Sequence, residues 1–481
     1  MKLMDRKACL GVIVGTRGFF NPVLSANARK ELLKSLDALC IDYVIAPEGA
    51  TPHGAVETIE HARVYARLFH ENADRIDGIL VILPNFGDEL GVVQTLEFAK
   101  LNVPVMVQAC NDDLDKVDVF SRRDAFCGKI SVCNNLYQYG IAFTDTTHHT
   151  CDITSDEFQN DLKRFSAICR TVKGLSCARI GAIGARPAAF QTVRYSEKIL
   201  QSSGITVIPV DLSEIFSAAQ KFDDDARIVE EKLAQIKAYG TIPSQIHKPQ
   251  ILRQAKFSIA VGEWMERNEC VASAIQCWES IQNNYGCASC LTMSMMGENL
   301  MPSACEVDVT GAVSMYALLL ASGNPPGFLD WNNNYGSEVN KCVNTHCSNF
   351  PKSFMGVTPE IADLDILGET LGRENCFGAV KGKVAPGPMT YFRISTDDPN
   401  GKIKSYLGEG KFTDDPFNMD GGVAVCEVPG LRKLLSHICQ NGFEHHVAMV
   451  RGQVADILEE SIGKYLGWDI FHNPKLNDSG W

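Results

Sequence analysis

Over the first 110 residues, short apolar runs alternate with amphipathic stretches. ACLGVIV ends at Gly15 and predicts a strand, and a helical pattern follows near Ala26–Leu39. DYVIAP is a second strand, residues 57–74 are helical in period, and GILVIL is a third strand. A helix near Leu90–Lys100 then leads into PVMVQA. Strands of this length, each followed by a helix, predict a parallel, doubly wound sheet. Residues 153–173 read as one connecting helix, and a second βα series opens at ARIGAIGARP (178–187). It continues through ITVIPVDL, a charged helix near 223–239, an apolar segment near 270–282 and a strand-like CLTMSM. From residue 375 to 428 the helical period fades. GAVKGKV, MTYFRIST, GKIKSYLGEGKF and GGVAVCEV are short, alternating and separated by Gly, Pro and Asp, which predicts an antiparallel sheet or small barrel. A last helix is expected near Val454–Leu466. The fold class is therefore α/β. Two doubly wound α/β domains, 1–172 and 173–350, precede a β-rich C-terminal domain, 351–481.

At 481 residues the chain exceeds what one hydrophobic core serves, which agrees with several domains. Hydrophobic residues at 45% and charged residues at 21% are ordinary for a globular enzyme. The formal charge of −13, without a basic stripe, argues against nucleic acid and anionic membrane as partners. The N-terminal apolar run is short for a secretory leader, and no stretch of about 18 apolar residues is present, so no transmembrane helix is expected. The 18 cysteines are scattered rather than arranged as a disulfide framework, so reduced thiols and a cytoplasmic location are expected. Cys287 and Cys290 form one CxxC pair; with no second pair they read as packing cysteines rather than a zinc ribbon.

In a doubly wound sheet, ligands gather beyond the carboxyl ends of the strands. In the first domain those ends carry Arg17, Asn85, Asp88 and Asn111. Three later segments carry the residue types of a metal centre. SACEVDVTGAV holds Glu306 and Asp308 in a short extended stretch before a helix. GFLDWNNNYG carries Asp330 into an Asn-rich turn, and GFEHHVAMVRG holds His445 and His446. Each has an ordinary explanation alone: helix-dipole pairing, turn formation, a packed histidine. Adjacent residues on a strand point to opposite faces, so one of the two histidines at most enters a given site. Two carboxylates and an imidazole suit Mn²⁺, or another divalent cation such as Co²⁺ or Mg²⁺, better than a soft metal. With open positions left for two substrate oxygens, such a site suits proton transfer between adjacent carbons of a hydroxy-aldehyde, the carboxylates serving as acid and base.

At these segments the chain resembles the L-fucose isomerase and L-arabinose isomerase superfamily, most closely its L-fucose branch. The shared pattern is a CE-x-D-x-x-GA run, an Asp about two dozen residues later and a late His in a stretch closing on Gly. Here those are Glu306, Asp330 and His446, the last chosen over His445 by its six-residue distance to Gly452. KVAPGPMTYFRISTD, YLGEGKFTDDP, GTRGFF and GARPAAFQTVRYSE extend the likeness over most of the chain. The resemblance implies Glu306 and Asp330 as both ligands and acid–base pair. It also implies a homo-oligomer, often a hexamer, in which N-terminal loops of one subunit close a neighbour's site. Arg17, Asn85 and Asp88 then become substrate contacts, and His346 in VNTHCSNFP becomes a ligand or substrate contact. Shorter members of the L-fucose type include sulfoquinovose isomerases, which make 6-deoxy-6-sulfofructose. A sulfonate requires cationic or multiple N–H donors, for which Arg17, Arg186, Arg194, Lys381 and Arg451 are available in candidate loops. Sulfoquinovose is accordingly the expected substrate, ahead of L-fucose, D-arabinose or L-arabinose. Two other classes compete: a non-catalytic sugar-binding protein, and a nucleotide-dependent oxidoreductase, for which GAIGARPAAF lacks the third glycine of the fingerprint.

Overall fold

The computed structural model describes residues 3–473; the outermost residues of the first and third expected domains, 1–2 and 474–481, lie outside the described residues. The chain divides into two compact units, 1–173 and 174–481.

The first unit is built on five parallel strands: β1 (Cys9–Val14), β2 (Asp42–Val44), β3 (Gly78–Leu83), β4 (Val105–Ala109) and β5 (Thr144–Asp145). Their order is β2-β1-β3-β4-β5. The continuous apolar runs of β1 and β3 follow from burial on both faces. Ile79, Val81 and Leu83 join the core on one side of the sheet, Leu80 and Ile82 that on the other.

The second unit carries two sheets. Four parallel strands, β6 (Arg179–Ile183), β7 (Thr206–Val210), β8 (Ala272–Ile275) and β9 (Ser303–Ala304), run in the order β7-β6-β8-β9. The second sheet has ten strands: β10 (Gly327–Asp330), β11 (Asn333–Asn334), β12 (Lys341–His346), β13 (Glu360–Asp363), β14 (Phe377–Lys383), β15 (Gly387–Asp397), β16 (Lys402–Phe412), β17 (Gly422–Glu427), β18 (His446–Arg451) and β19 (Asp469–His472). Its spine, β10-β18-β15-β16-β17-β12-β11, is antiparallel. The α/β class with a β-rich sheet toward the C-terminus is therefore the observed one.

Between the two sheets lies the helix Val309–Ser322, packed against β8 on one side and β15 and β18 on the other. Val309 through Ala321 are all buried, which explains a helix sequence with almost no polar face. The same physics hides a second helix from its sequence. CLTMSM reads as a strand, but Cys290–Glu298 is helical, and Cys290–Gly297 are buried on every side. An all-round apolar run carries no period by which to tell the two apart. The charged helix expected near 223–239 is Arg227–Tyr239, and a further helix, Leu212–Gln220, precedes it across the acidic turn around Asp223–Asp225. The segment 303–308 is not simply extended either. Glu306 and Val307 both take φ of 55°, a left-handed turn that costs on the order of 1–3 kcal/mol per residue and that the surroundings must impose.

Gly311 marks the closest approach between this helix and the antiparallel sheet. A Cβ there would stand 2.5 Å from the Phe328 ring and 2.9 Å from the Arg393 guanidinium. Gly311→Ala gains up to about 1 kcal/mol of helix propensity but incurs about 1–3 kcal/mol of overpacking. The net effect should be a lower urea midpoint with an unchanged denaturant slope. A midpoint equal to or above wild type would contradict this packing.

Candidate metal centre

Backbone register brings two of the expected residues together. Asp330 ends β10, His446 begins β18, and the two are direct antiparallel partners. Directly opposed residues project to the same face of a sheet. His446 Nε2 lies 3.5 Å from an Asp330 carboxylate oxygen. His346 ends β12, which packs beside β10, and its Nδ1 lies 3.3 Å from the same oxygen. Glu306 arrives from the other layer: the left-handed turn after β9 directs its Oε2 to 3.5 Å from His446 Nε2 and 3.8 Å from His346 Nε2. Donor atoms of Asp330, His346 and His446 all lie within 4.8 Å of one another.

His446 is held by a residue whose sequence context points elsewhere. Asp308 reads as a helix cap, and it is one, accepting from Gly311 N at 2.8 Å. Its other oxygen meets His446 Nδ1 at 2.8 Å. With Nδ1–H donated to Asp308, the Nε2 lone pair is presented to Glu306 and Asp330, the arrangement by which a carboxylate fixes the tautomer of a ligating imidazole. Asp308 is fully buried and paired with Arg393, also fully buried, through contacts of 2.7 and 2.9 Å. Arg393 reaches on to Glu444 at 3.2 Å, and Glu444 accepts from Ser395 Oγ at 2.9 Å.

The electrostatics separate the carboxylates. Burial opposes charge on Asp308, but the Arg393 guanidinium and the hydrogen bond to His446 hold its carboxyl far below the ordinary carboxylate range. Burial raises the Glu306 carboxyl, only partly countered by His346 and His446. Asp330 is also penalised by burial, yet His346 and His446 carry its carboxyl below the ordinary value. Burial works against charge on His346, while the Cys347 sulfur and Asp330 hold its imidazole above the usual range.

Two observations fit these residues to a cation. Glu306 Oε2 and His346 Nε2 are buried with no hydrogen-bond partner among the described residues. Leaving such a group unsatisfied costs about 1–3 kcal/mol. The donor set of carboxylate oxygens and imidazole nitrogens is the kind that binds first-row divalent ions. The remaining Glu306 oxygen is oriented by Trp278 Nε1 at 3.1 Å and Cys277 Sγ at 3.2 Å. Phe190 covers the histidines, its ring centroid 5.5 Å from His445 and 5.7 Å from His446. His445 turns outward with a 43% exposed side chain, while that of His446 is 1% exposed.

Arg186 follows β6 and lines a cleft of about 790 Å³ together with Gln191, Arg194, Lys404 and Glu444. Its guanidinium also donates to the carbonyls of Pro187 and Ala188 at 2.8 and 3.2 Å. The donor residues do not line that cleft, which borders them through Glu444 and the segment after Phe190. Of the other loop cations, Lys381 is ion-paired with Asp365 and Asp420, and Arg451 donates to the carbonyls of Ala385 and Pro386. In the first unit, Arg17, Asn85 and Asp88 form a local cluster. Arg17 pairs with Glu89 and lies 3.9 Å from Asp88. Buried Asn85 accepts from Arg17 N at 3.3 Å, and Asp88 caps the helix Glu89–Ala99. Each has a structural task there. No helix among the described residues is long and apolar enough to cross a membrane.

Arg393, Glu444, Trp278 and Phe190 join the centre without having been marked from sequence, and Asp308, marked beside Glu306, joins it as the partner of His446 and Arg393. The sequence context of Asp308 signalled only pairing with the helix dipole, because its partners come from segments 85 and 138 residues away.

Comparison with known proteins agrees with this architecture. Residues 11–176 match the model of the fucose/sulfoquinovose isomerase N-terminal domain, and residues 344–472 that of the L-fucose isomerase C-terminal domain. Sulfoquinovose isomerases of Priestia aryabhattai and Priestia megaterium are each 27% identical over 96% of this chain and 98% of their own length. That of Alkalicoccus urumqiensis is 27% identical over 63% of this chain and 66% of its own. Among solved structures, the glucose-galactose binding protein GanP of Geobacillus stearothermophilus matches with a TM-score of 0.15 and 17% identity, covering 66% of this chain and 93% of that one. A superposition that poor bears on neither fold nor function. With both terminal domains matched to one family and full-length relatives aligned along nearly the whole sequence, the chain belongs to the fucose isomerase-like family of sugar isomerases, in its sulfoquinovose isomerase branch.

Proposed function

We propose that the protein interconverts an aldose and its ketose by proton transfer through an ene-diol, and that the sugar is sulfoquinovose, giving 6-deoxy-6-sulfofructose. The observation that carries this reading is that His446 Nε2 stands 3.5 Å from an oxygen of Glu306 and 3.5 Å from one of Asp330, with Glu306 Oε2 buried and without a hydrogen-bond partner among the described residues. In this reading Glu306, Asp330 and His446 hold Mn²⁺, or Co²⁺ or Mg²⁺ in its place. A bound divalent cation supplies positive charge beside the carbonyl and hydroxyl oxygens, where negative charge develops.

The chain's own groups do the rest. Glu306, its carboxyl raised by burial, takes the proton from C2 and returns it to C1. Asp330, held ionised by its imidazole neighbours, serves the oxygens and is the more accessible of the two, with a side chain 21% exposed against 8%. His346, whose Nε2 is free of hydrogen bonds, contacts the reacting oxygens or joins the ligands. Phe190 and Trp278 exclude water from the buried side. Arg186 and Arg194, on the cleft bordering the centre, are the cations available to a sulfonate. Arg17, Asn85 and Asp88 serve as substrate contacts offered by a second copy of the chain in a homo-oligomer, a hexamer in the fullest form of the proposal. The family models and the full-length relatives support the reaction class, and the relatives' names support the sulfonated sugar. A cytoplasmic location accords with eighteen free cysteines.

The direct test is metal-stripped protein reconstituted with Mn²⁺ and offered sulfoquinovose, L-fucose, D-arabinose and L-arabinose, with the ketose detected chromatographically. Sulfoquinovose should be converted fastest, and chelator or Glu306→Gln should abolish turnover. Absence of ketose from every sugar, or near-normal activity in Glu306→Gln, would refute the proposal; a preference for an unsulfonated sugar would retain the chemistry and move the substrate. A second expectation concerns His446. Asp308→Asn removes the charge that orients the imidazole, so Mn²⁺ affinity measured by calorimetry should fall by about 10–100-fold. Unchanged affinity would mean that Asp308 caps its helix and pairs with Arg393 without setting the metal affinity of His446.

A further inference from the structure

Beside the oxygen-rich centre lies a second set of donors of different chemistry. Cys305 precedes Glu306, and Cys347 follows His346. Ligand atoms of Cys305, Glu306, His346 and Cys347 all lie within 4.8 Å of one another. Both cysteines are free thiols, Cys305 fully buried and Cys347 half-buried. Two residues of this set carry buried side-chain atoms without hydrogen-bond partners among the described residues, Glu306 Oε2 and His346 Nε2. No task in the isomerisation falls to either thiol.

Two sulfurs, one imidazole nitrogen and one carboxylate oxygen make a closed four-donor set, the preference of Zn²⁺ and softer ions rather than of Mn²⁺ or Mg²⁺. Tetrahedral zinc with ordinary bond lengths requires donors about 3.3–3.8 Å apart. With all four donors within 4.8 Å of one another, closing the site asks for a contraction of at most about 1.5 Å between any pair, a movement within the reach of side-chain torsions.

We infer that Cys305, Cys347, His346 and Glu306 form a soft-metal site that takes Zn²⁺ or Cd²⁺ and, by withdrawing Glu306 and His346, excludes the hard cation from the neighbouring centre. The exclusion rests on the function proposed above; the soft-metal site itself does not. Zn²⁺ is then an inhibitor whose effect Mn²⁺ relieves by competition.

The experiment uses the metal-stripped full-length protein and Cd²⁺ as probe. Wild type should develop a thiolate-to-metal charge-transfer absorbance in the ultraviolet that saturates at one ion per chain. Cys305→Ala/Cys347→Ala should lose it, with an unchanged circular dichroism spectrum reporting an intact fold. Cys347→Ala alone, at the less buried position, serves if the double variant fails to fold, and should weaken Cd²⁺ binding at least tenfold. No band in wild type, or the same band and stoichiometry in the variants, would overturn the site whether or not any sugar is turned over. Mn²⁺ paramagnetic resonance then tests the exclusion: Zn²⁺ should displace bound Mn²⁺ from wild type and at least tenfold less effectively from Cys347→Ala. Equal displacement from both would overturn the shared-donor arrangement while leaving the isomerase reading to its own assay.

Discussion

A single buried carboxylate, Asp308, ties the second unit together. One oxygen caps the helix Val309–Ser322, and the carboxylate as a whole pairs with Arg393 on β15 and holds His446 on β18. Three elements distant in sequence thus depend on one negative charge with no exposure to solvent. Removing one partner from such a buried pair typically costs about 3–5 kcal/mol, because the other charge is left uncompensated. Arg393 balances Asp308 and Glu444 at once, so the charges around it are matched as a set. The same network that seats the helix also fixes which nitrogen of His446 faces the centre. Stability and the orientation of His446 are here one arrangement.

The fold class was legible because its two sheet types leave opposite marks. Parallel strands buried on both faces give the unbroken apolar runs of β1 and β3, while β15 and β16 interleave polar with apolar residues along largely buried strands. What escaped was the tightly buried middle of the second unit. CLTMSM forms a helix packed on all sides, so neither period survives in its sequence. Glu306 was legible by its place in the CE-x-D run, but the left-handed turn that aims it was not, because Glu and Val carry no preference for that conformation. Asp330 and His446 are 116 residues apart, and only the pairing of β10 with β18 sets them side by side. Arg393 is the clearest omission. It stands in an alternating strand as an inward charge, yet its two carboxylate partners come from segments 85 and 51 residues away.

The centre also shows how donor type divides a small space. Toward β10 and β18 the donors are Asp330 and His446, with oxygen and nitrogen alone. Toward the turn after β9 they are joined by Cys305 and Cys347. Glu306 and His346 stand between, each with an unpartnered buried atom. In the proposed scheme a cation's hardness decides which side it takes, and the shared residues make the two choices mutually exclusive.

The proposed reaction depends above all on one ion being gripped by Glu306, Asp330 and His446. Crystals grown with Mn²⁺ and measured at the manganese absorption edge address this directly. The account predicts one anomalous peak per chain, within about 2.0–2.3 Å of a Glu306 oxygen, an Asp330 oxygen and His446 Nε2, near the bond lengths usual for such ligands. A peak elsewhere, or no peak at a manganese concentration that supports turnover, would contradict it.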